Sequence, residues 1–110
     1  GSGVKHECEL EISDDLDEGL RSGRIVNVEL RLRLTDYEKV RSRIRCLVNG
    51  SVMELTNAPT VSNSAGQEWL ILDNPPVHKG VNRIAVMLTG LRTPEPWPTL
   101  HQCEVIVRCQ

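Results

Sequence analysis

Trp97 is the side chain in this sequence whose type and setting best suit ligand binding. It stands between Pro96 and Pro98, so the backbone around it is restricted before any ligand arrives. Sugars present flat C–H faces that stack on aromatic rings, and a restrained Trp loses little conformational entropy on binding. The alternative is that the ring covers one end of a core that contains no Phe. Trp97 is therefore a candidate sugar-binding residue or an end cap of the core.

Tyr37 and four arginines are further candidates. Tyr37 falls in the polar run 35–39, where its hydroxyl could bond a sugar hydroxyl or remain an ordinary surface group. The arginines alternate with apolar residues on two strand-like segments and are Arg31, Arg33, Arg43 and Arg45. If these strands are neighbours, the guanidinium groups form one basic face that suits the carboxylate and sulfate groups of acidic glycans. A solvated face balanced by Glu29 and Glu104 is the alternative.

No spacing of residues points to catalysis or to a resident cofactor. The chain has no Ser-His-Asp order and no glycine loop for phosphate, and its histidines, His6, His78 and His101, are scattered. The acidic residues of segment 14–18 could bind a hard cation such as calcium, but capping of a short helix explains them more simply. We expect no enzyme activity, no cofactor and no metal site. A structural calcium ion is the alternative to the absence of a metal.

The composition predicts one small domain with an aliphatic core. The chain has 110 residues, of which 39% are hydrophobic and only three are aromatic (one Tyr and two Trp). Its net charge of −2 creates no field that favours nucleic acid or an anionic membrane. No run approaches the roughly 18 apolar residues of a membrane-spanning helix. Gly1-Ser2-Gly3 has the composition of a cloning remnant, which leaves residues 4–110 as the domain.

The four cysteines allow two interpretations. Cys8, Cys46, Cys103 and Cys109 each fall on the apolar side of a strand pattern, which predicts buried free thiols that behave as small hydrophobic groups. If a disulfide forms instead, Cys8 pairs with Cys103 or Cys109, because terminal strands often lie side by side in sandwiches. Cys103 cannot pair with Cys109, because about 20 Å separates them within one straight strand.

Alternation of apolar and polar residues predicts the first strands. Such alternation covers 5–12, 25–35 and 43–48. The inward positions of the second strand are Val26, Val28, Leu30, Leu32 and Leu34. Asn49-Gly50 is the strongest hairpin signal in the chain, because both central residues of a type I′ turn need positive φ. The hairpin also explains the glycosylation sequon that begins at Asn49, and residues 51–55 should return antiparallel from it.

Other segments carry turn or helix signals. Leu16 and Leu20 lie four residues apart between early acids and a late Arg21, which predicts a short helical turn that ends at Gly23. Segments 56–67 and 91–99 are rich in turn residues and are expected to be surface loops. The stretch 69–88 reads as two strands broken by Asp73-Asn74-Pro75-Pro76, and the last strand covers 100–109. The sum is an all-β antiparallel sandwich of about eight strands.

Three segments resemble domains of the galactose-binding-like class, which are jelly-roll sandwiches found as carbohydrate-binding modules and accessory domains of glycoside hydrolases. They are the V-N-G hairpin in 44–50, the motif of proline, glycine, asparagine, isoleucine and valine in 76–86, and the closing strand 104–108. The strand 26–34 is similar to β-domains appended to glycoside-hydrolase-like proteins. The resemblance implies a non-catalytic module that binds a poly- or oligosaccharide beside a catalytic domain. It also implies an extracellular or periplasmic location.

A structural domain that binds no sugar is the rival hypothesis. Such a domain would pack on a catalytic domain or a partner chain through an apolar patch on one outer face. Leu47, Met53 and Met87 are out of step with the inward pattern and would supply that patch. Trp69 leads an apolar run and is expected to pack in the core.

Overall fold

The computed structural model describes residues 2–90 and 98–110, with side chains from residue 7 onward, as a sandwich of two antiparallel sheets. The strands are β1 (Ser2–Ile12), β2 (Ile25–Thr35), β3 (Ile44–Val48), β4 (Ser51–Glu54), β5 (Thr60–Ser62), β6 (Glu68–Asp73), β7 (Gly80–Thr89) and β8 (Thr99–Cys109). The first sheet has the order β1-β7-β3-β4, and the second has the order β5-β6-β2-β8. The predicted all-β sandwich of about eight strands is confirmed. Within the described ranges, no helix is long and apolar enough to cross a membrane.

The core lies between the sheets and is built from alternate positions of the strands. The first sheet contributes Ile44, Cys46, Val48, Ile84, Val86 and Leu88, and the second contributes Leu30, Leu32, Leu34, Leu70 and Leu72. These are the positions that the period-two pattern places inward, because successive strand side chains point to opposite faces. The core is aliphatic, as the composition predicts.

The helical turn is present as α1 (Leu16–Ser22). Asp15 caps its first turn, since a carboxylate oxygen of Asp15 accepts a hydrogen bond from the Glu18 backbone N–H at 3.1 Å. Gly23 ends the helix in the left-handed region at φ 81°. The helix is anchored through Leu16, which is buried, whereas Leu20 is exposed. Capping therefore accounts for Asp15, and Glu18 forms an ion pair with Arg24 at 3.2 Å.

The predicted Asn-Gly hairpin joins β3 to β4. Val48 pairs with Ser51, so the loop has two residues, and Asn49 and Gly50 adopt φ angles of 52° and 86°. These positive values match a type I′ turn. The Asn49 side chain is held by the fold: Nδ2 donates to the Pro76 carbonyl at 3.0 Å, and Oδ1 accepts from the Arg83 backbone N–H at 2.9 Å.

Asn82 is fully buried at the start of β7 and holds the preceding turn together. Its Nδ2 donates to the carbonyls of His78 at 2.8 Å and Gly80 at 3.1 Å. Its Oδ1 accepts from the His78 backbone N–H and from Asn49 Nδ2, both at 2.9 Å. Asn82 therefore satisfies backbone groups of this loop with its side-chain amide. The glycine-to-asparagine motif is thus a structural feature of the turn.

The prediction that Val26 faces the core is wrong. The pairing of β2 with β8 shifts register between Ile25 and Asn27, so the alternation changes phase at this bulge. Ile25 is buried in the place that the pattern assigned to Val26, whereas Val26 is 59% exposed. The predicted alternation holds from Val28 onward.

Segment 35–39, which is polar in sequence, is not a simple exposed loop. Glu38–Arg43 form a 3₁₀ helix, and both Val40 and Tyr37 are 4% exposed. The Tyr37 hydroxyl donates to a carboxylate oxygen of Glu68 at 2.9 Å. The polar residues around Tyr37 hide this burial from a pattern based on hydrophobicity.

Segment 56–67 contains a strand that the sequence pattern missed. β5 pairs with β6 through Thr60, Val61 and Ser62, although its composition is that of a loop. Ahead of it, Leu55 and Ala58 are buried. Arg41 holds this stretch from the 3₁₀ helix, since its guanidinium donates to the carbonyl oxygens of both residues.

The cysteines divide into a disulfide and two free thiols. Cys8 of β1 is bonded to Cys103 of β8, so the prediction of four buried free thiols is wrong for this pair, and the terminal-strand alternative is right. Cys46 is a buried free thiol, and burial raises its pKa to about 12. Cys109 is free but exposed, so the prediction that it is buried is also wrong; it lies at the C-terminal end of the edge strand β8.

Candidate functional site: the outer face of the second sheet

The four candidate arginines do not form one basic face. Arg31 and Arg33 lie in β2, in the second sheet, whereas Arg45 lies in β3, in the first. In both strands the apolar neighbours face the core, so the two arginine groups lie on opposite outer surfaces of the sandwich. The basic face was expected only if the two strands are neighbours, and β2 and β3 lie in different sheets.

Arg43 and Arg45 bond backbone groups close to the start of β3. Arg43 Nε donates to the Thr89 carbonyl at 2.7 Å, and Arg45 Nη1 donates to the Ser42 carbonyl at 2.7 Å. These contacts hold the 3₁₀ helix and the end of β7 in place. The described contacts of Arg43 and Arg45 are therefore structural.

The outer face of the second sheet brings together polar and aromatic side chains from three strands. Its members are Glu29, Arg31 and Arg33 of β2, Trp69 and Ile71 of β6, and Gln102, Glu104, Ile106 and Arg108 of β8. The register places Glu29 beside Ile106, Arg31 beside Glu104, and Arg33 beside Gln102. We call this surface the β2 face.

Glu29 is the centre of a charge cluster on the β2 face. Its side chain is only 10% exposed and lies between two guanidinium groups. Arg31 Nη2 donates to one carboxylate oxygen at 3.3 Å, and Arg108 Nη1 donates to the other at 3.1 Å. A buried carboxylate requires such partners, because an uncompensated charge out of water is costly. Glu29 therefore fixes both arginine heads in position.

Arg33 offers hydrogen-bond donors that the described residues do not use. Its Nε donates to Gln102 Oε1 at 3.0 Å, which orients the planar head. In the ranges 2–90 and 98–110, no acceptor contacts its two terminal nitrogens. A fixed guanidinium with free N–H groups is suited to bind a carboxylate or sulfate in a bidentate manner.

Trp69 is buried as expected, but on the β2 face instead of in the core. It is 8% exposed and belongs to neither core cluster, whereas Leu70 and Leu72 on the same strand face the core. Its partner on β5 is Val61. The indole therefore lines the outer surface on the same sheet as the arginines.

Trp97 and Tyr37 are the two other predicted site residues. Trp97 falls in 91–97, outside the described residues, as does most of the predicted loop 91–99. Tyr37 is in the core with its hydroxyl engaged by Glu68, so it is not the surface-accessible group that the sequence suggested. Burial and the Glu68 carboxylate raise its pKa to about 12.

The sequence pattern does not identify several members of the β2 face. It places Glu29 on a solvated surface, and it gives no signal for Gln102 or Arg108. The alternation Glu29-Arg31-Arg33 was a usable signal, because it puts three charged groups on one face of one strand. Gln102 and Arg108 could not be found this way, because their proximity depends on the register of β2 with β8.

Residues 7–90 and 98–110 contain no group of three or more His, Cys, Asp or Glu that could hold an ion. Of the acids that suggested calcium, Asp15 caps α1, and Asp17 and Glu18 lie in its first turn.

The outer face of the first sheet carries a row of apolar residues. Leu47 pairs with Val52 on one side and Ala85 on the other, and Met87 follows Ala85 on the same face of β7. Val52 is 59% exposed. Met53, which the sequence placed in this patch, instead packs against the core, because the two-residue hairpin sets the phase of β4.

Comparison with known proteins found no counterpart. No protein-family model, no curated protein and no solved structure matches the chain.

Proposed function

We propose that this protein is a non-catalytic module that binds acidic glycans on the β2 face. The observation that carries the proposal is Arg33, whose head is fixed by Gln102 and whose terminal nitrogens have no acceptor among the described residues. Uronate and sulfate groups match the two parallel N–H donors of such a head. Trp69 and the arginines bound to Glu29 lie in the same surface.

The restrained conformation of the arginine side chains in the β2 face favours ligand binding. Glu29 holds Arg31 and Arg108, so little side-chain entropy remains to be lost when a ligand arrives. A hydrogen bond to a charged group contributes about 1.5–3 kcal/mol, so one or two such bonds fit the modest affinity expected of a module. Larger polymers would gain affinity by repeated contact along the chain.

Two further features support a cellular location and a neighbouring domain for the proposed module. The disulfide between Cys8 and Cys103 favours an oxidising compartment, which agrees with an extracellular or periplasmic location. The resemblance of the V-N-G hairpin and the 76–86 motif to galactose-binding-like domains supports a role beside a catalytic domain of a glycoside-hydrolase-like protein. Trp97 stays a candidate contact on its sequence alone.

A glycan array with a matched arginine control tests the proposal. We expect wild type to bind uronate-containing or sulfated polysaccharides, and Arg33→Ala to weaken that binding by at least about tenfold, since loss of one charge-assisted hydrogen bond costs about 1.5–3 kcal/mol. Arg83→Ala is the control, because Arg83 lies on the first sheet with its side chain 83% exposed. Trp97→Ala tests the aromatic candidate in parallel. Equal binding by wild type and Arg33→Ala, or no binding to any acidic glycan, would reject the site.

A structural role is the second candidate, and the apolar row on the first sheet favours it. Leu47, Val52 and Met87 would be covered if this face packs on a neighbouring domain. We expect Val52→Asp to weaken binding of the isolated domain to its neighbouring catalytic domain, measured by titration calorimetry. Val26→Asp is the control, since Val26 is equally exposed but lies in the second sheet. Glycan binding without any domain association would favour the first proposal.

A further inference from the structure

The sandwich has four edge strands, and three of them are poorly suited to pair with another chain. β4 has four residues and β5 has three, which is too short for an extended ladder. β1 carries Glu7, Glu9 and Glu11 on one face. An antiparallel pair of two β1 strands would set like charges against each other, which is a common protection of exposed edges.

β8 differs from the other edges because it is long and regular. Its register with β2 runs without interruption from Gln102 to Arg108. Residues 102–109 contain no proline and no lysine, the residues that usually protect an edge. Within the described ranges, the segment 102–109 of β8 pairs with β2 alone, so its opposite side presents unpaired backbone groups.

The sequence of β8 is complementary to itself in the antiparallel direction. If two copies meet with Ile106 opposite Ile106, Glu104 of each chain lies opposite Arg108 of the other. All three side chains are on the outer face of the second sheet, because Val105 and Val107 face the core side. Each such opposite-charge pair contributes roughly 0.2–1 kcal/mol, and the symmetry supplies two of them.

The surface beside β8 has room and apolar character for an added strand. A depression of about 330 Å³ runs between β1 and β8, and its lining includes Leu10, Ile12, Val105 and Val107. Both valines are only half-buried. A strand paired with β8 would cover them, since alternate side chains of that strand point into the depression.

We propose that two copies of this chain associate through β8, antiparallel about Ile106, and so join their second sheets into one continuous sheet. Arg108 already bonds Glu29 through its terminal nitrogens and is 46% exposed. A guanidinium has five N–H donors, so it can serve Glu29 and the partner's Glu104 together. The dimer does not depend on the proposed glycan site.

Complementary charge variants test the pairing and its register. Glu104→Arg sets arginine against arginine, and Arg108→Glu sets glutamate against glutamate, so each variant alone is expected to be monomeric. An equimolar mixture restores both opposite-charge pairs and is expected to dimerise, as measured by sedimentation across about a hundredfold range of concentration. Circular dichroism checks that each variant is folded. A wild type that stays monomeric throughout, or a dimer that survives Glu104→Arg, overturns the proposal.

A cysteine at the symmetry axis gives an independent readout that keeps Arg108 intact. Directly opposed residues of an antiparallel pair have Cα atoms about 4.5–5.5 Å apart, within reach of a disulfide. Ile106→Cys in a Cys109→Ser background is therefore expected to form a covalent dimer under mild oxidation. Ile71→Cys is the control, since β6 is separated from this edge by β2. Equal cross-linking of both variants, or of neither, contradicts the register.

Discussion

At the scale of single residues, Asn82 combines complete burial with hydrogen bonds at both the oxygen and the nitrogen of its side-chain amide. Its amide bonds backbone atoms of His78 and Gly80 and also the side chain of Asn49. It thereby connects the turn before β7 to the hairpin after β3. A buried polar residue of this kind specifies one arrangement of two loops, because each partner would be unsatisfied in any other arrangement.

Asn82→Ala should lower the free energy of unfolding by about 2–4 kcal/mol. The substitution leaves buried donors and acceptors without partners, and each costs about 1–3 kcal/mol. Urea denaturation measures the loss. Asn57→Ala is the control, since Asn57 is exposed and should change stability by less than about 0.5 kcal/mol. Similar stability of the two variants would contradict the role of Asn82.

Tyr37 permits a direct measurement, because it is the one tyrosine in the sequence. Burial and Glu68 raise its pKa to about 12 in the folded protein, against about 10 in an unfolded chain. The unfolded state therefore releases the proton first as pH rises. Stability should fall between about pH 10 and 12, by up to about 1.4 kcal/mol per pH unit from this group.

Tyrosinate absorbance during an alkaline titration checks the shift. The midpoint should lie near 12 in buffer and return to about 10 in concentrated urea. Tyr37→Phe should remove the absorbance change and flatten the fall in stability that this hydroxyl causes. A midpoint near 10 in the folded protein would show that the hydroxyl is accessible to water.

At the scale of elements, α1 depends on a close approach between helix and sheet. Gly19 is buried, and a Cβ atom at its position would collide with the Ile25 side chain. Ile25 is the residue that the β2 bulge turns inward. The bulge and the glycine therefore act together to seat the helix over the end of β2.

Gly19→Ala should destabilise the protein by about 1–3 kcal/mol. Helix propensity alone predicts the opposite, a gain of up to about 1 kcal/mol, so the sign of the change distinguishes the two effects. Thermal denaturation measures it. Asp17→Ala in the same helix is the control, because Asp17 is exposed and should have a small effect. A stabilised Gly19→Ala protein would mean that Ile25 moves aside freely.

The sequence identifies elements whose signals are local. The Asn49-Gly50 hairpin, the Gly23 helix end and the inward faces of β3 and β7 follow from turn chemistry and period two. What it missed depends on distant residues. The buried Tyr37 hydroxyl bonds Glu68, which lies 31 residues away in sequence, and the phase change at Val26 lies at a register shift between β2 and β8.

The residues of the candidate site also divide into those predictable from local sequence and those that depend on pairing between distant strands. The outward direction of Arg31 and Arg33 was predictable from alternation within β2. Their separation from Arg45 was not, because it depends on which sheet each strand joins. Gln102 became part of the site only through a register that links positions 33 and 102.

At the scale of the whole molecule, a disulfide bond links the two sheets. Cys8 and Cys103 are 95 residues apart in sequence and connect β1 of the first sheet to β8 of the second. Such a bond restricts the unfolded chain over most of its length, and stabilisation of about 2–5 kcal/mol is typical. It also holds together the side of the sandwich on which the proposed dimer edge lies.

Removing the bond should lower stability by that amount and remove the effect of reductant. We expect the double variant Cys8→Ser/Cys103→Ser to melt at a lower temperature, and dithiothreitol to lower the melting temperature of wild type but not of the variant. Cys109→Ser is the control, since Cys109 is exposed and unbonded. A wild type whose melting temperature is unaffected by reductant would contradict the disulfide.

The hydrogen bonds that hold the Asn49 side chain also affect its susceptibility to deamidation. Asparagine followed by glycine is prone to deamidation, in which the next backbone nitrogen attacks the side-chain carbonyl, ammonia leaves, and the succinimide opens to aspartate or isoaspartate. Here the Asn49 amide is fixed at both ends, by Pro76 and Asn82 on its nitrogen and by Arg83 on its oxygen. The folded structure therefore protects the Asn49 side-chain amide from the deamidation to which the Asn-Gly sequence makes it prone. Isoaspartate at position 49 would accumulate chiefly in molecules that have spent time unfolded, and would serve as a chemical record of that exposure.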